Sequence, residues 1–443
     1  MRALLFATAL MAAFPAFAQT PTPTPTPRET ANAVAGRIRD LYFDPAAGDR
    51  IADGLEAESA AGAFDALTDP RDLAATLSRR LRPLDAHFNV AFDPNAPAGP
   101  GAGPQRVVRA PGSPPPSVAA GEPVRRARPA NPMEARGHYG FRKVEILPGN
   151  VGYIDLRQFS NIDFENPADP ARRAADAALS FVADADAVIF DLRDNGGGAP
   201  SMVGYLTSAF TPANAPIYNI FHSREGTESE APTVFYPTPR LEVPVYVLIS
   251  GRTGSAGEAF PYTLQGARRA TIVGEASGGA ANPGGMVPAG GGFTVFISQG
   301  SPKNPNTGGN WEGTGVLPDV AVPWDQALAR AHTLALEAIL AGDSGRTDAA
   351  WALQAMNSTT AAGDLAPYAG AYGEQVVSVA GDRLNVVRGR RPPVLLARLD
   401  GDLFTVVGDP GRRVRFSRDE AGRVVTMDQV GLGGPGPRAR RSD

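Results

Sequence analysis

The sequence contains no cysteine. That excludes disulfides, a thiol nucleophile, cysteine-ligated zinc and an N-terminal lipid-bearing cysteine. Lysine is almost as scarce, with only Lys143 and Lys303. Histidine is limited to His87, His138, His222 and His332. Any chemistry that needs a side-chain base near neutral pH therefore has few candidates. No apolar run beyond the N-terminus approaches the roughly 20 residues needed to span a bilayer, so no membrane span is expected. Strong positive charge is also missing: the formal net charge is −4, which gives no electrostatic case for a nucleic-acid partner.

What is present is enough material for a large folded core. The chain has 443 residues and 43% hydrophobic content, which suggests more than one domain. Residues 1–18 read as a signal peptide, with Arg2, an apolar stretch and the small-residue site Ala16-Phe17-Ala18. A periplasmic or secreted location follows from that reading. Residues 19–27 alternate Thr and Pro and read as a spacer. Residues 28–95 carry helical spacing: Val34, Ile38 and Leu41, then Ile51 and Leu55, then Leu73, Leu77 and Leu81 behind Asp69-Pro70. Residues 96–136 are Pro/Gly-rich without periodicity and read as a linker or loop. Strand-like and helix-like runs alternate over residues 137–343, which implies a mainly parallel sheet in an α/β core domain. Residues 344–432 show short strand signals separated by turns, the pattern of a small antiparallel domain. Residues 433–443 are basic and Gly/Pro-rich, and are expected to be disordered.

The most informative stretch is residues 243–267. An apolar strand, Val245 to Ile249, runs into a Gly-containing turn, and a helical run starts at Ser255. A sharp strand-to-helix turn exposes the first helical residue beside free N–H groups and the positive end of the helix. A serine there can be a nucleophile, with the next amide binding an oxyanion. It can equally be an N-cap and nothing more. A second strand, from Ala187, ends in Gly196-Gly197-Gly198. Parallel strands end on one edge of a sheet, so both turns are expected on the same rim. A serine nucleophile also needs a base. His332 sits inside a helical run, His138 and His222 carry no motif, and His87 stands at an element boundary beside Asp85.

Four motifs follow one another in order: AVIFDLRDNGGG at 187–198, SGRTGSAGE at 250–258, ATIVGE at 270–275 and NWEGTGVLPD at 310–319. Together they resemble peptidase family S41, the C-terminal processing protease family, and within it the interphotoreceptor-retinoid-binding-protein-like and tricorn-core branch. Asp85-Ala86-His87 is similar to that branch too. The resemblance implies a ClpP/crotonase-like β/α spiral core with an N-terminal helical domain. It implies Ser255 as nucleophile, His87 as base and then acid, and Glu312 as the distal carboxylate. Gly197 and the Ala256 amide would form the oxyanion hole. No metal or other cofactor is implied, and the partner is a peptide or protein substrate.

Two departures stand out. Position 276 is Ala where the processing peptidases carry lysine, so a Ser–Lys dyad is not expected. Position 86 is Ala where the tricorn-type relay has a serine linking histidine to glutamate. Three arrangements remain open: Glu312 reaches His87 directly, a water or Asp85 fills in, or the relay is incomplete. The leading expectation is an exported serine peptidase whose activity follows one ionisation, near about 6.5 for an unperturbed histidine. The alternative is a catalytically weak or inactive ligand- or peptide-binding protein on the same scaffold. Nothing resembles a coenzyme A site, which leaves a hydratase reading weak.

Overall fold

The computed structural model of the protein describes residues 25–94, 132–357 and 363–442. The signal peptide assigned to 1–18, most of the 19–27 spacer and most of the 96–136 segment lie outside the described residues. The end of that last segment forms a short helix, α4 (Pro132–Arg136).

Three helices open the chain: α1 (Pro27–Leu41), α2 (Pro45–Ala60) and α3 (Pro70–Leu81). Each starts in the same way, with a polar N-cap (Thr26, Asp44 or Asp69) whose side chain accepts an amide of the first turn. Proline follows at the first helical position, where its missing N–H costs nothing. Val34, Ile38, Leu55, Leu73, Leu77 and Leu81 turn inward into one cluster.

The central sheet is built from β2 (Phe141–Leu147), β3 (Val151–Leu156), β4 (Ala187–Asp191), β7 (Val245–Ile249), β8 (Thr271–Gly274) and β12 (Val320–Ala321). Their order is β12-β8-β7-β4-β3-β2, parallel except for β2. Strands buried on both faces should read as continuous apolar runs, and VIF in β4 and VYVLI in β7 do so. Helices α5 (Pro170–Phe181), α6 (Pro200–Ser208) and α7 (Ala256–Gly266) contribute Leu179, Leu206, Phe260 and Leu264 to one face. Helix α8 (Ala327–Gly342) covers the other with Ala331, Ala335, Leu336 and Ile339. The alternating pattern at 137–343 thus yields the expected parallel α/β sheet.

The helical unit is not a separate body beside this core. Strand β1 (Val90–Phe92) pairs antiparallel with β10 (Phe293–Ser298), which pairs with β9 (Gly284–Gly290). The inner side chains Phe293, Val295 and Ile297 belong to the same cluster as the three helices. Hydrogen bonds continue the seam: Phe43 N–H donates to Ser298 C=O at 3.0 Å and Phe296 N–H to Asn89 C=O at 2.8 Å. A hairpin of β5 (Ile220–Ser223) and β6 (Gly226–Ser229) lies beside β11 (Gly300–Lys303). Its turn residue Arg224 donates to the carbonyls of Tyr42 and Arg39, both at 2.7 Å.

After helix α9 (Thr347–Asn357), absent from the sequence reading, eight strands form one antiparallel meander in chain order. They are β13 (Gly370–Tyr372), β14 (Gln375–Ala380), β15 (Arg383–Arg388), β16 (Val394–Asp400), β17 (Leu403–Val406), β18 (Asp409–Arg418), β19 (Val424–Gly431) and β20 (Gly434–Arg440). The expectation of a disordered tail at 433–443 is corrected here. Residues 434–440 form β20, paired to β19, and Arg438 forms an ion pair with Asp428 at 2.7 Å. Prolines are tolerated because one edge of β20 is outermost in the ladder. Beyond it, Ser442 N–H donates to Ala371 C=O and Tyr372 bridges Arg441, which draws the last strand back toward the first. Composition alone hid the strand because Gly and Pro have little intrinsic strand preference.

A shared core has a measurable consequence. Ile297→Ala should destabilise the chain by about 2–5 kcal/mol, read by urea denaturation. A chain starting at residue 132 should aggregate or fold poorly, because Phe293, Val295 and Ile297 lose their cover. A monodisperse, cooperatively unfolding truncation would show that β9 and β10 need no helical partner.

Candidate functional site

The site is built from two turns and two carboxylates. Both turns follow neighbouring parallel strands, β4 and β7, at the same sheet edge, as the motif order led us to expect. They are tied together. Ser250 Oγ donates to Arg193 C=O at 2.5 Å and Thr253 Oγ1 to Leu192 C=O at 2.7 Å. Gly254 N–H donates to Asn195 C=O at 3.0 Å.

Ser255 precedes α7 with φ 51° and ψ −122°. A left-handed φ is strained for serine and is tolerated where surrounding bonds over-determine it. One of those bonds is Ser255 N–H to Glu258 Oε2, at 2.7 Å. The glycine turn lies directly against this corner. A Cβ on Gly197, whose φ is +117°, would come within 2.8 Å of Ser255 Cβ and 3.2 Å of Ala256 N. Only glycine fits both the space and the φ. The Gly197 N–H, however, donates to Asn195 Oδ1 at 2.8 Å. Gly198 is flanked by bonds to the Phe159 segment through its neighbours, Gly197 C=O and Ala199 N–H. Among the described residues, its own N–H and that of Ala256 donate to no acceptor.

His87 sits on the other side of a short loop. His87 is half-buried, its ring stacked on Phe296 at 5.4 Å. Its Nδ1 lies 3.6 Å from Asp85 Oδ1 and 3.7 Å from Glu312 Oε2. The absence of a serine at position 86 is therefore met by direct approach of Glu312, with Asp85 as a second carboxylate. Ala86 contributes its backbone instead, donating to Glu312 Oε1 at 3.2 Å. Asp85 is itself held by Tyr42 Oη at 3.1 Å, Asn282 Nδ2 at 3.2 Å and His87 N–H at 2.9 Å. With Nδ1 turned to two acids, Nε2 is the ring nitrogen left for other work.

One loop joins the two halves. Gly279 and Ala280 N–H donate to Glu258 at 2.7 and 2.9 Å, and Ala281 and Asn282 N–H donate to Glu312 Oε2 at 2.7 and 3.0 Å. Ser277 Oγ adds a 2.6 Å bond to Glu258. Glu258 is fully buried, and burial pushes its pKa up against the pull of these donors. Glu312 is reached through Trp311, buried against Tyr262 of α7, and Asn310, whose Oδ1 accepts the Glu312 amide at 3.0 Å.

Sequence reading thus named the residues of both halves. The structure brings Ser255, Gly197 and Ala256 together, and His87, Asp85 and Glu312 together, with 277–282 between them. The Ser255 hydroxyl and the His87 ring are not directly hydrogen-bonded. Glu258, Asn195 and Asn282 were missed as site residues. The spacing Ser255-x-x-Glu258 is a capping-box signal that pointed to the first of these. Nothing local marks the other two. The lysines are elsewhere: Lys143 pairs with Glu145 on β2, and Lys303 is exposed on β11. His332 is a packing residue whose Nε2 meets Pro148 C=O at 2.8 Å. Donor atoms of Asp85, His87 and Glu312 all lie within 4.8 Å of one another, close enough to share a metal ion. Such an ion would occupy the same His87 nitrogen that the acids orient.

Comparison with known proteins finds a family model that matches part of the chain. Residues 150–322 match the model of peptidase family S41. The chain is 34% identical over 130 residues to a carboxyl-terminal-processing protease of Synechocystis sp., covering 29% of this chain and 28% of that protein. It is 26% identical over 194 residues to the chloroplastic carboxyl-terminal-processing peptidase 1 of Arabidopsis thaliana, covering 43% of this chain and 38% of that one. The chain thus spans well under half the length of either relative. Among solved structures, the photosystem II D1 C-terminal processing protease aligns at a TM-score of 0.32 and 21% identity, over 40% of this chain and 43% of that chain.

The surroundings of His87 set its titration. Burial of the ring opposes the charged form, but Asp85 and Glu312 outweigh it and carry the pKa up to about 9. The value near 6.5 expected of an unperturbed histidine does not apply. A raised folded-state pKa stabilises the fold fully below about 6.5, and that contribution is lost as pH rises through about 9. Ring signals followed by NMR should show a midpoint near 9, and Asp85→Asn should move it down. A midpoint at or below 6.5 would mean that the acids do not face this ring.

Proposed function

We propose that this chain, whose residues 150–322 match the model of peptidase family S41, is an exported serine peptidase that hydrolyses peptide bonds in peptides or proteins. The observation that carries the reading is the pairing across residues 279–282. One carboxylate there fixes the strained nucleophile turn, and the other faces the histidine. Export rests on the signal-peptide pattern of residues 1–18. In keeping with it, no described helix is long and apolar enough to cross a membrane.

In this mechanism Ser255 Oγ attacks the scissile carbonyl while His87 Nε2 takes its proton. Asp85 and Glu312 hold the proton on Nδ1 and stabilise the imidazolium that forms. Negative charge developing on the carbonyl oxygen meets the Ala256 N–H at the positive end of α7. The second donor comes from the Gly197–Gly198 turn. Because Asn195 engages Gly197 N–H, the Gly198 amide is the one left for the oxyanion. Collapse expels the amine, which takes the proton from His87 Nε2. Water then attacks the acyl-serine with His87 as base again. The relay needs no metal in any step.

Four experiments test this. Ser255→Ala should abolish labelling by a fluorophosphonate probe and lower turnover by about six orders of magnitude. Absence of labelling in the wild-type protein would favour the ligand-binding alternative. The kcat/KM of the active enzyme should rise with pH toward a plateau above about 9, because only neutral His87 is a base. His87→Ala should be inactive, while Lys303→Ala should be near normal. Glu258→Gln keeps the volume but replaces an acceptor oxygen with an NH₂ facing backbone donors. We expect a loss in kcat of about tenfold or more, corresponding to one charge-assisted bond of about 1.5–3 kcal/mol. Wild-type kcat in a folded Glu258→Gln protein would remove Glu258 from the mechanism.

A further inference from the structure

The geometry points to a second binding site, for an aliphatic carboxylate, inside the C-terminal strand meander. The argument starts from an asymmetry of side-chain size. One end of the meander is filled by rings: Tyr368, Tyr372, Phe404 and Phe416 pack at centroid distances of 5.0 to 5.6 Å. The inward positions toward the other end are mostly valines. Val386, Val394, Leu396, Val406, Val414 and Met427 line a cavity of about 360 Å³ there. These side chains belong to the same core cluster as the rings, so the void is the unfilled end of one core. Its volume lies at the small end of the range for ligand pockets.

The mouth is basic. Arg388, Arg391 and Arg412 line the cavity with the valines, and all three are exposed. Arg388 is paired with the exposed Glu374 at 3.0 Å, and Arg412 lies 3.9 Å from Asp409. Arg391 has no acidic partner among the described residues. Arg413, next along β18, also lines the cavity but is buried, with its guanidinium over the Trp351 ring at 4.1 Å. An apolar shaft under three guanidinium groups favours a molecule with an apolar tail and an anionic head.

The walls also choose between kinds of tail. A peptide entering the shaft would bury its own amides. Most of the strand backbone is committed to the ladder, and the polar side chains on the wall below the mouth are Arg413, held over the Trp351 ring, and the pair Gln375 and Gln429. These two already face each other at 3.4 Å. Burying amides without partners costs roughly 1–3 kcal/mol each. A hydrocarbon chain carries no such cost, so the occupant is a fatty-acid-like carboxylate rather than a peptide C-terminus.

The test is calorimetric titration of the full chain with decanoate, with decanol and N-acetyl-leucyl-leucine as comparisons. We expect saturable binding of one decanoate per chain, and weaker binding of the other two. Arg391→Ala and Arg412→Ala should each weaken decanoate by roughly tenfold, as for loss of one charged hydrogen-bonding group. Both positions are exposed, so these variants are expected to fold. Val406→Phe, which fills the shaft, should abolish binding while the β-sheet circular dichroism is kept. The proposal is overturned if decanoate fails to bind, if the arginine variants bind it as tightly as wild type, or if decanol or the dipeptide binds at least as well. Readout by binding keeps this result independent of whether Ser255 is catalytic.

Discussion

Four successive amides, from Gly279 to Asn282, are shared two and two between Glu258 and Glu312. Much of the site depends on that sharing. A buried carboxylate is expensive unless several donors surround it, and this loop supplies them to both acids at once. Glu258 in turn holds the Ser255 amide, and Glu312 holds the Ala86 amide and faces His87. Moving the loop would disturb Ser255 and His87 together. The arrangement gives a fixed relation between two groups that come from distant parts of the chain.

The same coupling explains why the N-terminal helices are built into the core. His87 lies three residues before β1, and β1 is hydrogen-bonded to β10. The 277–282 loop leads directly into β9, the other neighbour of β10. His87 and the loop are thus anchored to one small sheet, whose apolar side is covered by α1, α2 and α3. A hinged domain swinging His87 in and out would have to break that sheet and expose Phe293, Val295 and Ile297. Rigid placement of His87 is the better physical account than movement of whole domains.

The proposed second site follows a different logic. It arises from packing, where aromatic side chains fill one end of the meander and valines leave the other end open. Its basic mouth stands apart from the acidic surroundings of His87. A chain with net charge −4 can still present a local cationic patch, because recognition responds to nearby charges and not to the sum.

How much was legible in the sequence depended on the range of the interaction concerned. Helix starts at Asp69-Pro70, the buried strands VIF and VYVLI, and the Ser255 turn were readable because caps, apolar runs and strand-to-helix turns are local. The ordered motifs named Ser255, His87, Glu312, Gly197 and Ala256 by resemblance. Sequence could not decide how Glu312 meets His87 without a serine at position 86, because that depends on a contact 225 residues apart (312 − 87). Nor could it reveal that Asn195 occupies the Gly197 amide, that Asp85 makes a second acid, or that His87 titrates high. The strand at 434–440 was missed for a local reason. A Gly/Pro-rich segment has little intrinsic preference for a strand, and only β19 beside it and Asp428 opposite Arg438 make one. The sequence by itself determined which residue types were available, with four histidines, two lysines and no cysteine. Tertiary structure alone decided their electrostatic surroundings, because the field at a side chain is set by charges and donors that folding brings near.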